Sequence, residues 1–282
     1  MKKSLFFNLI LGLTFCTASI HAFAQSCCNA NSTVQFAMLA NDQKFLNSHA
    51  DPLPFNFSAE KGKMIKLNST DGKEANAFLV NADQLTYNFV FIFHEWWGLN
   101  DYIKQEAEKI QKELGNVNVM AIDLYDGKVA DNKDSAGKYM KEVDQKRAET
   151  IINAAISYTG SRGKIYTLGW CFGGGWSLQA SILAGKQGAG CVMYYGMPEK
   201  DLTKLKNLNA DVLGIFATKD QWINDKVVTQ FEKDMKTSGK NLSVKSFNAD
   251  HAFANPSNPK YDKEASAQAH ILAMDFLKKK LK

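Results

Sequence analysis

The stretch Thr167-Leu-Gly-Trp-Cys-Phe-Gly-Gly-Gly-Trp176 places one cysteine among four glycines. The residues before Cys171, from 164 to 168, are largely apolar and β-branched, which predicts a short buried strand. Residues 176–184 follow with helical spacing and without a helix breaker. The sequence therefore predicts that Cys171 lies on a sharp turn between a strand and a helix.

The spacing Gly169-x-Cys171-x-Gly173 is typical of a nucleophile elbow, with cysteine in place of the usual serine. Side chains two residues before or after the nucleophile would collide at this strained turn, so glycine is expected at both positions. The following helix would direct its N-terminal N–H groups at the sulfur and favour the thiolate. The alternative is a buried cysteine in a glycine-rich turn without chemistry. A phosphate-binding loop is disfavoured, because neither G-x-x-x-x-G-K-[ST] nor G-x-G-x-x-G is matched here.

Two further residues complete a candidate catalytic set in the order nucleophile, acid, base. Asp220 follows a predicted strand that ends at Ala217, and His251 follows one that ends at Phe247. Each alone could be an ordinary loop residue, but together they are expected at one edge of a parallel sheet. The sequence therefore predicts a Cys171–His251–Asp220 triad, in which His251 acts as base and then acid while Asp220 orients it.

Strands and helices alternate along most of the chain, which predicts an α/β protein. The predicted strands are residues 64–67, 75–80, 89–93, 117–122, 164–168, 190–195, 212–217 and 242–247, the first two forming a hairpin. The predicted helices are residues 102–114, 131–144, 145–158, 176–184, 226–237 and 265–280. With the order of the triad, this pattern predicts the α/β-hydrolase fold, a mostly parallel, doubly wound sheet with helices on both faces. Residues 62–282 would form this domain, and residues 25–61 a polar extension or loose arm without assignable chemistry.

The segment His94-Glu-Trp-Trp-Gly98 follows the strand at residues 89–93. In this fold the loop after that strand supplies one N–H to the oxyanion hole, which we assign to Trp96, and the residue after the nucleophile, Phe172, supplies the other. Glu95 would lie beside this loop, near the thiol. A zinc-protease motif H-E-x-x-H is excluded because position 98 is glycine, so we expect no metal and no cofactor.

Five segments, Gly169-Trp-Cys-Phe-Gly-Gly174, His94-Glu95-x-x-Gly98, Asp123-Leu-Tyr125, Asp220 and His251-x-Phe253, together resemble the dienelactone hydrolase family. The resemblance covers roughly residues 62–282 and implies hydrolysis of a small ester or lactone through the predicted triad. It also implies that Glu95 holds the resting thiol, then moves when substrate binds and helps to generate the thiolate. The thiol would then stay protonated, and less prone to oxidation, until it is needed.

Two positions depart from the family pattern in the groups that hold a substrate carboxylate. Well-studied members carry an arginine shortly after Asp-Leu-Tyr and another four residues past the histidine, whereas Gly127 and Asn255 correspond here. Arg147 and Arg162 match neither position. Lys128 could replace an arginine as a point charge, but not as a bidentate clamp. These departures disfavour a substrate that carries a carboxylate.

Five tryptophans all lie in or near these motif segments: Trp96, Trp97, Trp170, Trp176 and Trp222. Tryptophan is more often core packing, and Trp176 on the elbow helix is expected to pack in the core. Trp97 and Trp222 flank candidate site residues, so we predict that they wall an apolar acyl or lactone pocket.

The N-terminus predicts export. A basic start at Met1-Lys-Lys3, an apolar run over residues 5–15 and a small-x-small site at Ala22-Phe-Ala24 are typical of a secretory signal peptide cleaved before Gln25. The run is too short for a membrane span, so we expect a secreted or periplasmic protein. Cys27 and Cys28 would follow the cleavage site and could pair with another chain, bind metal or carry lipid; Ala24-Gln-Ser is a poor lipoprotein box.

The charge of the chain excludes a nucleic-acid partner. Removing residues 1–24 removes two lysines and no acidic residue, so the net charge of +5 falls to +3, and this charge is not clustered. We expect a monomer that acts on a small molecule. Two other hypotheses stay open: an acyltransferase or a thioester or peptide hydrolase on the same triad, and a non-catalytic binding or redox module.

Overall fold

A central sheet of eight strands organises residues 31–282, the part of the chain that this computed structural model describes. The strands are β1 (Lys63–Asn68), β2 (Glu74–Val80), β3 (Asn88–Phe93), β4 (Asn118–Ile122), β5 (Lys164–Trp170), β6 (Gly188–Tyr194), β7 (Val212–Ala217) and β8 (Leu242–Phe247). The helices are α1 (Ser32–Ala37), α2 (Gln43–Asn47), α3 (Asp101–Leu114), α4 (Lys133–Glu142), α5 (Gln145–Tyr158), α6 (Phe172–Leu183), α7 (Leu202–Leu205), α8 (Asp225–Thr237) and α9 (Lys263–Leu281), with 3-10 turns at Met38–Asn41 and Gly185–Gln187.

The sheet is mostly parallel, in the strand order β1-β2-β4-β3-β5-β6-β7-β8. Strands β1 and β2 form the predicted hairpin, and β2 pairs antiparallel with β4; the remaining pairs are parallel. Strand β3 is buried from Phe89 to Phe93 and β7 is buried throughout, because helices cover both faces of the central sheet. The predicted fold class is confirmed.

The elbow helix begins earlier than the sequence indicated. Helical spacing is recognisable only from Trp176, but α6 begins at Phe172, directly after Cys171 as the expected helix dipole at the sulfur requires, and includes three glycines. Tertiary packing explains the difference, since a Cβ on Gly174 would lie 2.5 Å from the carbonyl oxygen of Tyr194. Glycine lets the first turn of α6 lie directly against the end of β6.

The expected loose arm is wrong for residues 31–50, whereas residues 51–61 contain no helix or strand. Residues 31–50, which we call the cover segment, contain α1, a 3-10 turn and α2. The side chains of Asn31 and Asp42 cap the two helices, and Phe36 and Phe45 are fully buried against the hydrolase core. The cover segment is thus a packed part of the fold.

The predicted signal peptide, its cleavage site and the pair Cys27 and Cys28 lie outside the described residues. The division at residues 24 and 61 therefore stays a prediction. Among residues 31–282, no helix combines the length and the apolar character needed to cross a membrane.

Candidate active site

Cys171 lies at the turn between β5 and α6 with a left-handed backbone, φ 56° and ψ −120°. Non-glycine residues rarely adopt a positive φ, so the turn is strained and the surrounding structure must hold it. The flanking glycines make the approach possible: a Cβ on Gly169 would lie 2.1 Å from the carbonyl oxygen of Gly173, and one on Gly173 would lie 2.2 Å from that of Phe93. These distances give the physical reason for the G-x-C-x-G spacing.

Three side chains from separate loops form a continuous line of contacts. His251 Nδ1 lies 2.5 Å from Asp220 Oδ2, and His251 Nε2 lies 3.4 Å from the Cys171 sulfur. Asp220 Oδ1 accepts the backbone N–H groups of Trp222 and Ile223, which fixes the carboxyl group. The three residues that the sequence singled out therefore meet beyond the carboxyl ends of β5, β7 and β8.

The ionisation of Asp220 determines which atoms of His251 donate and which accept hydrogen bonds. Burial raises the pKa of Asp220, but the charge and hydrogen bond of His251, with the two backbone donors, outweigh burial and lower it. The group is a carboxylate at neutral pH, so it accepts the Nδ1–H of His251. The Nε2 atom of a neutral His251 then presents its lone pair to the thiol.

Two backbone N–H groups lie near the Cys171 thiol, those of Phe172 and Trp96. They are the predicted oxyanion donors, and they lower the pKa of the thiol. Burial acts in the opposite direction and is the largest effect, and the Glu95 carboxyl adds to it, so the pKa of Cys171 is raised well above its usual value. The expected thiolate-favouring effect of the helix is present, but burial outweighs it and the thiol is protonated.

Glu95 is buried beside the thiol. Burial raises its pKa to about 8, although a hydrogen bond from Asn255 Nδ2 to its Oε2, 2.5 Å long, lowers it. The cavity beside Glu95, which Trp97 and Tyr102 also line, has a volume of about 20 Å³. That space holds a single water molecule. Glu95 is therefore a neutral acid in a closed site at neutral pH.

Replacing Glu95 by Gln should stabilise the protein in a pH-dependent way. The unfolded chain loses the Glu95 proton near pH 4.5 and the folded chain near pH 8, so wild-type stability falls as the pH rises through this window. Glutamine cannot ionise and can still accept the hydrogen bond from Asn255. We expect the E95Q gain in free energy of unfolding to grow from pH 4.5 and reach on the order of 3–5 kcal/mol at pH 8. Urea unfolding at pH 5 and pH 8.5 measures it.

Glu113→Gln is the matched control for that experiment. Burial raises the pKa of Glu113, but hydrogen bonds from His270 and Lys278 outweigh burial and lower it. Its carboxylate therefore adds stability as the pH rises, and its replacement should give a pH-dependent difference of the opposite sign. A stability gain for E95Q that does not change with pH would contradict a neutral, buried Glu95.

His94 connects the two loops that carry the motifs. Its Nδ1 atom donates to the carbonyl oxygen of Glu95 at 2.6 Å, and its Nε2 atom accepts the backbone N–H of Leu124 at 3.2 Å. Asp123 accepts the backbone N–H groups of Tyr125 and Gly127, which shapes the second loop. The loops that carry His94-Glu95 and Asp123-Leu-Tyr125 are thus joined by hydrogen bonds, and together they position the Trp96 N–H group.

The three predicted substrate-binding side chains lie at different distances from the triad. Trp97 packs against Trp96, with ring centroids 4.8 Å apart, and lines the small cavity at Glu95. Trp222 lies on the other side, its ring centroid 5.9 Å from that of His251. Lys128 pairs with Glu142 at 3.5 Å and lies over the Tyr139 ring, so its charge is already engaged. Their roles in binding substrate stay predictions.

The cover segment supplies residues to the site that the sequence reasoning missed. The Phe36 and Phe45 rings lie 6.1 and 6.0 Å from the His251 ring, and Asp42 accepts the indole N–H of Trp222 at 3.1 Å. His49, at the end of the segment, is buried with its ring 5.6 Å from that of His251. Cys171 has no exposed surface as a result.

Both arginines are engaged away from the triad. Arg147 forms ion pairs with Asp71 and Asp126, and the Arg162 guanidinium stacks on the Tyr87 ring at 4.0 Å. Neither is placed to bind a substrate at Cys171.

Known proteins match the part of this chain that contains most of the sheet and the candidate site. The sequence model of the dienelactone hydrolase family matches residues 75–281, a region that begins inside β2 and excludes the cover segment. A provisionally assigned carboxymethylenebutenolidase of Aquifex aeolicus is 32% identical over 207 residues, which cover 68% of this chain and 88% of the relative. Protein usf of Aquifex pyrophilus is 31% identical over 209 residues, with the same coverages of 68% and 88%.

Solved structures show the same fold. A dienelactone hydrolase-like promiscuous phosphotriesterase from metagenomic libraries has a TM-score of 0.67 at 19% identity, covering 78% of this chain and 99% of that chain. An esterase of Pyrococcus furiosus has a TM-score of 0.59 at 14% identity, covering 83% and 98%.

Proposed function

This chain belongs to the dienelactone hydrolase family, and from that premise we propose that it hydrolyses a small ester or lactone by acyl transfer to Cys171. The observation that carries the proposal is the unbroken line from Asp220 through His251 to the Cys171 sulfur, with contacts of 2.5 and 3.4 Å. A nucleophile, a base within reach of it and an orienting carboxylate are the parts that covalent acyl transfer requires.

Acylation begins when His251 Nε2 takes the Cys171 proton. The thiolate attacks the carbonyl carbon, and the oxygen that becomes negative accepts hydrogen bonds from the Trp96 and Phe172 N–H groups. His251 then gives its proton to the leaving alkoxide, so the carbon–oxygen bond breaks and a thioester forms. The Asp220 carboxylate stabilises the imidazolium during both transfers.

Deacylation repeats these steps with water as the nucleophile. His251 takes a proton from water, the hydroxide attacks the thioester, and the same two N–H groups stabilise the oxyanion. The sulfur leaves as thiolate and recovers its proton from His251. No cofactor takes part in either half of the reaction.

Glu95 regulates the protonation of the sulfur in this proposal. In the closed site Glu95 is protonated, because burial raises its pKa to about 8, and it cannot act as a base. When substrate binding admits water to Glu95, the pKa of Glu95 falls towards the usual value for glutamate. The ionised Glu95 side chain then moves away from the thiol and the Cys171 proton passes to His251, so the thiolate forms only with substrate present.

Neutral esters and lactones are the proposed substrates. Asn255, at one position where family members carry a carboxylate-binding arginine, is occupied by its hydrogen bond to Glu95. Arg147, Arg162 and Lys128 are held by other partners. A substrate carboxylate would find no free bidentate partner among these groups.

A small substrate panel tests the proposal. We expect turnover of p-nitrophenyl acetate, a longer p-nitrophenyl ester and a neutral lactone, and a lower kcat/KM for a carboxylate-bearing dienelactone. Acyl transfer to added amines or thiols in place of water would indicate an acyltransferase. Absence of turnover on all four substrates, with a thiol that still reacts with alkylating reagents, would overturn the hydrolase proposal.

Export to the periplasm or the exterior is also proposed, on the pattern of residues 1–24 alone. Mass determination of the N-terminus of the protein from its native host tests it, with Gln25 expected as the first residue. A lipid-modified cysteine would indicate anchoring instead.

A further inference from the structure

His49 is a buried imidazole that the proposed reaction does not use. Its Nδ1 atom lies 2.8 Å from the carbonyl oxygen of Phe45 and 3.0 Å from Ser48 Oγ, and the Ser48 hydroxyl donates to that same carbonyl. Both neighbours can only accept from Nδ1, so Nδ1 carries the hydrogen. Nε2 is then an unprotonated nitrogen, and it finds no hydrogen-bond partner within residues 31–282.

The Nε2 atom of His49 is buried without a partner among the described residues. A buried polar atom without a partner is costly, so its presence calls for an explanation.

The His49 Nε2 atom lies near two other possible ligand atoms. His49 Nε2, His251 Nε2 and the Cys171 sulfur all lie within 4.8 Å of one another, and the contact between His251 and Cys171 is 3.4 Å. Because His251 Nδ1 donates to Asp220, its Nε2 atom is the ring nitrogen that faces the Cys171 thiol. Two imidazole nitrogens and one sulfur therefore lie close enough together to share one ion.

From this arrangement we propose that His49, Cys171 and His251 form a zinc site that fastens the cover segment over the active site. Tetrahedral zinc, with bonds of about 2.0–2.1 Å to nitrogen and about 2.3 Å to sulfur, places its ligand atoms roughly 3.3–3.6 Å apart. The His251–Cys171 contact already fits, and His49, whose Nε2 lies within 4.8 Å of both partners, needs to approach by at most about 1.5 Å.

The surroundings of the three ligands suit zinc. Metal-binding histidines usually donate their other ring N–H to a carboxylate or a backbone carbonyl, and here His251 donates to Asp220 and His49 to Phe45. Imidazole and thiolate favour zinc over the oxygen-seeking ions magnesium and calcium. The buried thiol must lose its proton when the ion binds, so one Zn²⁺ enters and one H⁺ leaves.

Zinc binding should inhibit hydrolysis. This expectation rests on the proposed function, because the ion would bind both the nucleophile and the base. The Cys171 sulfur and the His251 lone pair cannot bind zinc and attack an ester at the same time. Zinc occupancy and hydrolysis are therefore mutually exclusive, and removal of the ion restores both the activity and the mobility of the cover segment.

Zinc affinity is measured directly, without turnover, by competition with a chromophoric chelator. The experiment uses the full chain with Cys16→Ser, Cys27→Ser and Cys28→Ser, because these thiols outside the described residues would also bind the ion. We expect one zinc per chain, and His49→Ala should weaken binding by at least about 100-fold, because loss of even an outer-shell partner costs about 10- to 100-fold. His270→Ala is the control, since His270 pairs with Glu113 on the surface and should leave the affinity unchanged.

Cobalt reports the identity of the ligands. Co²⁺ added to the same background should give a thiolate-to-metal charge-transfer band, which Cys171→Ser abolishes and Cys191→Ser retains. Circular dichroism of each variant confirms that it is folded. A charge-transfer band that persists in Cys171→Ser, or zinc affinity unchanged in His49→Ala, would overturn the site.

Hydrolysis gives the third readout and separates this proposal from the previous one. Zinc should inhibit hydrolysis of any ester that the triple-serine chain turns over. The zinc concentration for half-inhibition should be higher in His49→Ala, with the rate of each protein expressed relative to its own rate without zinc. Zinc binding without turnover would leave the site intact and remove the hydrolase proposal. Turnover that zinc does not inhibit at full occupancy would contradict the mutually exclusive arrangement.

Discussion

Replacing Cys171 by alanine should lower kcat for every substrate by about 10⁴- to 10⁶-fold, the usual loss when a covalent nucleophile is removed. The oxyanion donors and the bound geometry survive in this variant, because the Phe172 and Trp96 N–H groups belong to the backbone. Residual rates should therefore stay above the uncatalysed rate. Intact-mass measurement during turnover of a slow ester should show an acyl adduct on the wild-type protein and none on C171A.

Cys191→Ala is the control for that experiment. Cys191 is the other free cysteine among the described residues, buried with its sulfur 3.6 Å from Ser177 Oγ and away from the triad. It should keep a kcat close to wild type. If C171A retained a tenth or more of the wild-type turnover, Cys171 could not be the nucleophile.

Replacing Asp220 by asparagine should lower kcat by about 10³- to 10⁴-fold with little change in the fold. The asparagine oxygen can still accept the N–H groups of Trp222 and Ile223, so the loop keeps its shape. Its amide group, however, donates to His251 Nδ1 and moves the ring hydrogen to Nε2. The base then presents a hydrogen to the thiol instead of a lone pair, which steady-state kinetics with the substrate panel would detect.

Asp250→Asn tests whether the loss is specific. Asp250 immediately precedes His251, but its carboxylate pairs with Lys260 at 2.8 Å. Activity should be close to wild type in D250N across the pH range. Equal losses of kcat in D250N and D220N would indicate that activity depends on negative charge near His251 and not on the hydrogen bond between Asp220 and His251.

The elbow and the proximity of Cys171, Asp220 and His251 could be predicted because each depends on a short local pattern. Gly169 and Gly173 are required by contacts within a few residues of Cys171 and by one neighbouring strand. Asp220 and His251 follow directly on apolar strands, and parallel strands bring their carboxyl ends to one edge. Order along the chain was therefore enough to predict proximity in space.

The cover segment could not be predicted for a physical reason. Its helices are 6 and 5 residues long, too short to be stable or recognisable alone, and the capping residues Asn31 and Asp42 are the main local signal. The helices exist because Phe36 and Phe45 bury their rings against the site. His49 meets His251 across 202 positions of sequence, and no periodicity encodes a contact of that kind.

The roles of Glu95 and Asn255 could be predicted only in part. The resemblance to the family assigned Glu95 to the thiol, and Asn255 was noted only for the arginine that it replaces. Their 2.5 Å hydrogen bond joins two loops 160 residues apart, and burial of the carboxyl raises its pKa to about 8. Neither the bond nor the protonation state follows from residue type, because both depend on the packing around them.

The cover segment has a kinetic consequence. Cys171 has no exposed surface, so if substrate must displace the cover to reach it, the apparent affinity falls in proportion to the open fraction. A cover open about 1% of the time would raise the apparent dissociation constant about 100-fold. Opening also imposes a common upper limit on turnover. Esters with good leaving groups would all approach this limit and give the same rate, whereas sluggish esters would still differ from one another by their chemistry.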